Sequence, residues 1–398
     1  MLNKEGQREL AYIVMIDGLQ PIEGADRVEV AIVGGWKIMV RKGQFQPGDL
    51  AVYFEIDSKV PEKEPFLFLA EKRYRIKTQK YFKGTVISQG LLMSGDDFGW
   101  QTQRTADGTP VSIGGHAKGD FLTKELGITY AVEEDNVRKS PSLNKYQKME
   151  KRHPKLFRNP LIRWIYQKSW GKKLLFSFFG KKADVKAQWP EWVSKTDEER
   201  VQNIPWILAD KSPWIATEKI DGTSTTATLR ITGNKKHVFY ICSRNVAFAK
   251  ANAKTYYDTN VYTEMAGKYR FEDVLLTLAD RYHLEWVTLQ GETYGNDIQK
   301  RDYGMQTHDF MGFNLLFSDR GRLNSKEAAD ILKEFGIPWV PILDEQFILP
   351  DTVEKLLEMA TGHSVVDGGM REGLVFRSQD GSRSFKAVSN EFLLKYHQ

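Results

Sequence analysis

Apolar and polar positions change rhythm twice along this 398-residue chain. Up to about residue 135 they form short β-rich runs: 27–33 (RVEVAIV), 36–40 (WKIMV) and 50–56 (LAVYFEI). Gly34-Gly35 and Gln46-Pro47-Gly48-Asp49 separate these runs, and the stretch 81–92 is broken at Gly84 and Gly90. Short strands with turn signals between them predict a small barrel or sandwich. This half shows no catalytic cluster and reads as a binding module.

Residues 136–190 read differently. The stretch 159–182 (NPLIRWIYQKSWGKKLLFSFFGKK) interleaves aromatic and basic residues. Such a segment could stack bases while its cations hold phosphates, or lie on a membrane surface. The plainer expectation is a helical connector whose apolar side packs on a domain. From Trp192 onward the pattern is mixed. Alternation over 215–231 predicts strand, and 271–283, 325–335 and 351–360 have helical spacing, with Ser325 as an N-cap and Gly336 with Pro338 as the stop. The expected fold class is therefore α+β and multidomain, with units at 1–135, 136–190 and 191–398.

Composition narrows the function classes. A chain this long exceeds one ordinary core. No stretch approaches the ~18 apolar residues of a membrane span, and the first ten residues lack an apolar signal region. The single cysteine, Cys242, rules out an internal disulfide and a cysteine-rich zinc site. The seven histidines form no metal-ligand cluster. A reducing, cytoplasmic compartment is expected. Net charge is only +5, but residues 138–186 hold 15 Lys/Arg against 2 Asp/Glu, a local excess of +13 that leaves −8 for the remainder. That block suits a polyanion, whose phosphates release counterions when neutralised; a solvated connector is the alternative.

The usual phosphate loop, dinucleotide turn, metalloprotease pair and serine elbow are all missing. Present instead is Thr217-Glu218-Lys219-Ile220-Asp221-Gly222-Thr223. A KxDG tetrad alone arises by chance in roughly one chain in ten of this length. Its chemistry is still pointed: a lysine at a strand end, an acid two residues on, and a glycine that lets backbone approach a phosphate. The lysine can attack phosphorus only as the neutral amine, so its pKa must fall through desolvation or neighbouring cations, and a divalent metal at the same phosphate would help. Four clusters follow in order: Ser243-Arg244-Asn245, Gln290-Gly291-Glu292-Thr293-Tyr294-Gly295, Arg371-Glu372-Gly373-Leu374-Val375 and Ser384-Phe385-Lys386-Ala387-Val388.

This ordered set resembles the covalent nucleotidyltransferase superfamily of DNA ligases, RNA ligases and mRNA capping enzymes. Lys219, Asp221 and Gly222 look like its motif I, Arg244 like motif Ia and Glu292 like motif III. Phe313 looks like the aromatic of motif IIIa, Glu372 like motif IV and Lys386 like motif V. The N-terminal segments 25–40, 42–58 and 75–91, with 195–203 (KTDEERVQN) and 384–395, look like the RNA ligase branch with an N-terminal OB domain, often called RNA ligase family 5. That resemblance implies an OB-fold barrel followed by an α+β nucleotidyltransferase (ATP-grasp-like ligase) domain. Only 12 residues follow Lys386, too few for the C-terminal OB domain of DNA ligases and capping enzymes.

By the same resemblance the enzyme uses ATP with Mg²⁺ or Mn²⁺ to join 3′-hydroxyl and 5′-phosphate ends of RNA, at nicks in duplexes. Lys219 becomes the AMP-accepting nucleophile. Glu218, or the backbone around it, reads the adenine amino group; Arg244 holds the ribose or the phosphate, and Phe313 stacks on the base. Glu292 binds the ribose hydroxyl or a metal, Glu372 holds metal directly or through water, and Lys386 neutralises the α-phosphate in the transition state. Two positions depart from the pattern. Val388 stands where motif V carries a second lysine, for which Lys395 is the candidate substitute, and Asn314 stands where aspartate usually follows the motif IIIa aromatic. The implied partner is RNA or an RNA-containing nicked duplex gripped by the OB domain and the basic segment, with a monomeric protein, no stable protein partner, and a membrane not favoured. The rival readings are a DNA ligase, a GTP-using capping enzyme, a non-catalytic nucleic-acid-binding protein and a membrane-surface protein.

Overall fold

The computed structural model of the chain describes residues 8–130, 153, 156–179, 189–196, 198–233, 236–244, 246–248 and 260–396. Much of the basic block at 138–186, together with Asn245, lies outside them.

The N-terminal half is β-rich, as its alternation predicts. Ala11–Met15, Leu50–Phe54 and Leu91–Met93 form one antiparallel sheet, and Gly18–Pro21, Val28–Val33 and Trp36–Arg41 form another. Every residue of Leu50–Phe54 is buried because the strand has a core on each side. Leu50, Val52 and Phe54 enter one cluster with Ile13 and Phe66, while Ala51 and Tyr53 enter another with Trp36 and Ile38. A strand covered on both faces becomes continuously apolar, which is why 50–56 reads as a run.

The C-terminal half contains two antiparallel sheets. The smaller has the order Ile342–Phe347, Trp214–Lys219, Gly373–Ser378, Ser384–Val388. The larger has the order Ala247–Phe248, Lys236–Cys242, Thr223–Gly233, Trp286–Gly295, His308–Phe317, Gly321–Arg322. Helices Val261–Lys268, Phe271–Tyr282 and Ser325–Lys333 cover the outer face of the larger sheet over Leu229, Leu289 and Phe317. Helix Val353–Ala360 covers the smaller sheet over Trp214, Phe376 and Phe385. The predicted helix at 325–335 is present, but its cap is Asn324 rather than Ser325. The Asn324 carboxamide accepts from the amides of Lys326 and Glu327, and Ser325 is buried one residue inside.

The halves meet through a small apolar seam and a few polar ties. Ile87 of the N-terminal half packs with Val388 and Leu393. Arg8 reaches Glu199 at 3.8 Å, and the Arg200 guanidinium lies 5.8 Å from the Trp36 ring. The segment around Glu199 also donates structure to the site: its carbonyl accepts the Lys386 amide at 2.8 Å.

Residues 156–179 fold as a turn and two helices, Pro160–Gln167 and Ser169–Phe179. Asn159 caps the first helix and Pro160 opens it. The sequence suggested a connector packed against a domain. The described apolar contacts instead close within the unit, around Phe157 and Leu175 with Ile162, Ile165 and Tyr166.

Candidate active site

Strand Trp214–Lys219 lies in the interior of the smaller sheet and ends at Lys219. Its register pairs Lys219 with Gly373, so Glu372 sits directly beyond the partner strand's first residue. The Lys219 ammonium and the Glu372 carboxylate consequently meet at 2.7 Å. The chain then turns through Asp221-Gly222 into the larger sheet, where Ser224 pairs with Glu292. Gly222 is required by this close crossing, since a Cβ there would collide with the Thr293 carbonyl and crowd Glu292.

The two sheets enclose a cavity of about 320 Å³. Lys219, Glu218, Asp221, Gly222, Arg244, Glu292, Phe313, Glu372 and Lys386 all line it. Residues from six separated stretches thus converge on one space. Lys395 does not join them: it lies on the last helix, Asn390–Tyr396, with its ammonium 5.1 Å from the Tyr396 ring.

Each end of the cavity has its own chemistry. Ile220, Phe313 and Val340 give it apolar walls. Near them the buried Glu218 carboxylate accepts the Val365 amide on one oxygen, while its other oxygen, Oε1, has no hydrogen-bond partner among the described residues. A buried acceptor left open costs free energy until a donor fills it. At the other end the charges gather. Burial by itself would lower the Lys219 pKa, but Glu372, Glu292 and Asp221 outweigh it and hold the ammonium above the ordinary lysine range. Lys219 therefore rests protonated.

The same cluster crowds three carboxyl groups, Asp221, Glu292 and Glu372, around one another. Burial, and then Glu372, push the Asp221 carboxyl up to about 7, against the pull of Lys219 and Arg301. Burial raises Glu292 to about 8, with Glu372 and Asp221 adding to it and Lys219 and Arg244 opposing. No three His, Cys, Asp or Glu side chains among the described residues make a closed metal cage. Buried carboxylate oxygens beside a space for phosphates are nevertheless the donor set a Mg²⁺-type ion uses, since it binds one or two carboxylates and completes its shell with phosphate and water.

These shifts have a sign that can be measured. Raised carboxyl pKa values mean the folded state holds these protons more tightly than the unfolded chain does. The contribution is complete below the ordinary carboxyl range of ~4 and is lost as pH climbs through 7 to 8. Between pH 6 and pH 9 the metal-free protein is expected to lose melting temperature more steeply than Glu292→Gln. Equal slopes for the two proteins would remove Glu292 from the titration.

Three further residues belong to the site. Arg377 is buried, lines the cavity, and donates from Nε to Asn314 Oδ1 at 3.0 Å and from Nη1 to Thr217 Oγ1 at 3.2 Å. Alternation from Gly373 through Val375 puts Arg377 on the cavity face, so the signal was in the strand's period. Glu198, within the 195–203 segment that the resemblance marks, reaches the Arg377 guanidinium at 3.7 Å, and Gln299 donates to the Gly222 carbonyl at 3.0 Å; Gln299 carries no pattern that sequence reading could catch.

The two departures acquire physical reasons. Asn314 accepts from Arg377 and donates to Gln290 Oε1 at 3.0 Å, while Gln290 donates to the Ser194 carbonyl at 2.8 Å. An aspartate could accept from Arg377 but could not continue that relay. Val388 is 2% exposed and packs against Ile87 and Leu393 at the seam between the halves. Val388→Lys is expected to lower stability by about 2–4 kcal/mol without raising activity, because it buries an unpaired ammonium. Thermal melting beside an adenylation assay checks this; a faster enzyme of unchanged stability would refute the seam argument.

The comparisons agree with this geometry. Residues 212–397, the whole of the two-sheet domain bearing the cavity, match the RNA ligase family model. That domain is of the RNA ligase family. Residues 10–94 match an OB-fold domain model, which accounts for the N-terminal sheets. Among solved structures, the Naegleria gruberi RNA ligase with pyrophosphate is 28% identical with TM-score 0.64, covering 98% of this chain and 99% of that one. A glutamate-to-alanine variant of the same ligase with ATP and Mn gives 28% and 0.65, covering 98% and 100%. A lysine-to-methionine variant with AMP and Mn also gives 28% and 0.65, covering 98% and 99%. None of the curated proteins compared with the chain matches it. The architecture, an N-terminal OB fold followed by an α+β ligase domain, matches that of these ligase structures, and the chain is an enzyme.

Proposed function

We propose that the protein is an ATP-dependent RNA ligase that seals 3′-hydroxyl and 5′-phosphate ends at nicks in RNA-containing duplexes. The observation that carries this reading is the convergence of Lys219, Glu372, Glu292, Arg244 and Lys386 on one cavity with an apolar slot at Phe313.

In the first step the Lys219 amine attacks the α-phosphorus of ATP, forming an N–P bond as the bond to pyrophosphate breaks. The slot of Ile220, Phe313 and Val340 receives the adenine, whose amino group would donate to the open oxygen of Glu218. Arg244 and Lys386 face the phosphates, where their charge counts most as negative charge develops. Glu372 and Glu292 would hold Mg²⁺ or Mn²⁺, which supplies charge stabilisation at phosphoryl oxygens. Lys219 must shed its proton and its partner Glu372 before it can act. In the second step AMP moves from Lys219 to a 5′-phosphate. In the third a 3′-hydroxyl attacks that activated phosphate, the phosphodiester forms and AMP departs. The OB fold and the catalytic domain would present the ends to the cavity together.

The test offers labelled ATP, GTP and NAD to the purified chain, then nicked duplexes with RNA or DNA on each side of the break. Label transfer from ATP alone and sealing of RNA 3′ ends are expected. Transfer from GTP alone would favour a capping reaction, and equal sealing of all-DNA nicks would favour a DNA ligase. No adduct from any donor would leave a nucleic-acid-binding protein.

A further inference from the structure

The helical hairpin at 156–179 lies outside both matched families' residues and takes no part in the cavity. It is nevertheless built as a unit. Gly171 lets the second helix cross close to the first, since a Cβ there would strike the Ile165 carbonyl. Phe157 and Leu175 fill the space between.

What the unit turns outward is unusual. Of the sixteen large hydrophobic residues exposed among the described residues, six fall in this hairpin. Leu161 is 64% exposed, Trp164 and Trp170 are 55% exposed, and Phe178 is 75% exposed. The spacing is helical: Leu161 and Trp164 are three apart, and Trp170, Leu174 and Phe178 follow every fourth residue. Arg158, Arg163, Lys168 and Lys173 are exposed among them, with the Lys168 ammonium 5.8 Å from the Trp164 ring. No Asp or Glu occurs between Lys151 and Ala183.

We propose that this hairpin docks the ligase on an anionic membrane surface. Charge complementarity selects the partner's sign: four exposed cations with no acid among them call for an anionic surface. The aliphatic side chains select its class. A strand of RNA would use the flat faces of Trp164, Trp170 and Phe178, but it offers little to the aliphatic Leu161 and Leu174. A lipid interface takes up leucine, phenylalanine and tryptophan together, with the lysines and arginines at the headgroups. The hairpin would lie in the interface. No helix among the described residues is long and apolar enough to cross a membrane.

The experiment floats the full chain on a density gradient with vesicles of phosphatidylcholine, with and without phosphatidylglycerol. It compares the native chain with Trp164→Ser/Trp170→Ser/Phe178→Ser and with Arg163→Glu/Lys168→Glu/Lys173→Glu. Both variants leave Phe157 and Leu175 in place, and unchanged melting and unchanged ATP-dependent self-labelling would show that the rest of the protein is intact. The native chain should float only with the anionic vesicles, and each variant should lose about tenfold or more of that binding. Failure of the native chain to float, or flotation that neither variant reduces, overturns the proposal. Loss of nicked-duplex affinity by the serine variant, with no vesicle binding by the native chain, would identify an RNA platform instead. A concentration-dependent dimer abolished by the same variant, again with no vesicle binding, would identify a second copy as the occupant.

Discussion

Lys219→Ala is expected to carry no AMP after incubation with ATP and a divalent metal, whereas the native chain gains one AMP by intact mass. No other amine in the cavity can take over. Lys386 lies two strands away across Gly373–Ser378, and the delocalised guanidinium groups of Arg244 and Arg377 are poor nucleophiles. Lys219→Arg separates charge from nucleophilicity: it keeps a cation beside Glu372 and is equally expected to form no adduct. Both variants should retain the ability to join a strand supplied already adenylated at its 5′ end, since that step transfers nothing to or from the lysine. Pre-bound nucleotide is removed with pyrophosphate before the measurement. An adduct on Lys219→Ala would move the nucleophile elsewhere and dissolve the assignment of the whole cavity.

The second large effect is expected at Lys386. Its strand pairs Lys386 with Val375, and its amide is held by the Glu199 carbonyl, so the backbone is fixed on both sides and does not depend on the side chain. Removing one preorganised charge from a phosphoryl-transfer site costs about 10²–10³ in rate, about 3–4 kcal/mol. Lys386→Ala should therefore slow lysine adenylation by that factor with melting temperature unchanged, and Lys386→Arg should recover part of it. Single-turnover transfer of labelled AMP reads the effect. A loss of only a few-fold would mean that Arg244 and the metal already neutralise the phosphate.

Much of this site could be read from spacing because the chemistry demands particular residues at strand ends. Lys219 with Asp221 and Gly222, Glu292 before the end of its strand, Glu372 just before Gly373, and Lys386 opposite Val375 each occupy a position that strand register dictates. The aromatic at 313 is harder, since Phe310 and Phe317 of the same strand are buried core and Phe313 sits where the register with Trp286–Gly295 shifts, which alternation does not reveal. What escaped were groups that act through contacts between distant segments. Arg377 was hidden inside an apolar strand, and Glu198 becomes meaningful only when the segment before Val201 folds against Arg377 and Arg322. Lys395 illustrates the converse. The resemblance makes it the candidate substitute for the second motif V lysine, yet the turn after Val388 carries the last helix toward the OB side, where Leu394 accepts a bond from Lys80. In the fold, the barrel-like strands were legible from turns and alternation, whereas the cap at Asn324 and the self-contained packing of 156–179 depend on which neighbours each side chain meets.

The ion pair between Lys219 and Glu372 has a meaning for the idle protein. Neutral amines in crowded, electrophile-rich surroundings acquire acyl groups, carbamate and sugar aldehydes at random, and a reactive lysine poised for phosphorus would be among the first to suffer. Stored as an ammonium against a carboxylate, this one is chemically silent between turnovers. Under the proposed mechanism a nucleotide with its metal would draw Glu372 away and free the amine, so the ion pair would serve as a protecting group shed on demand.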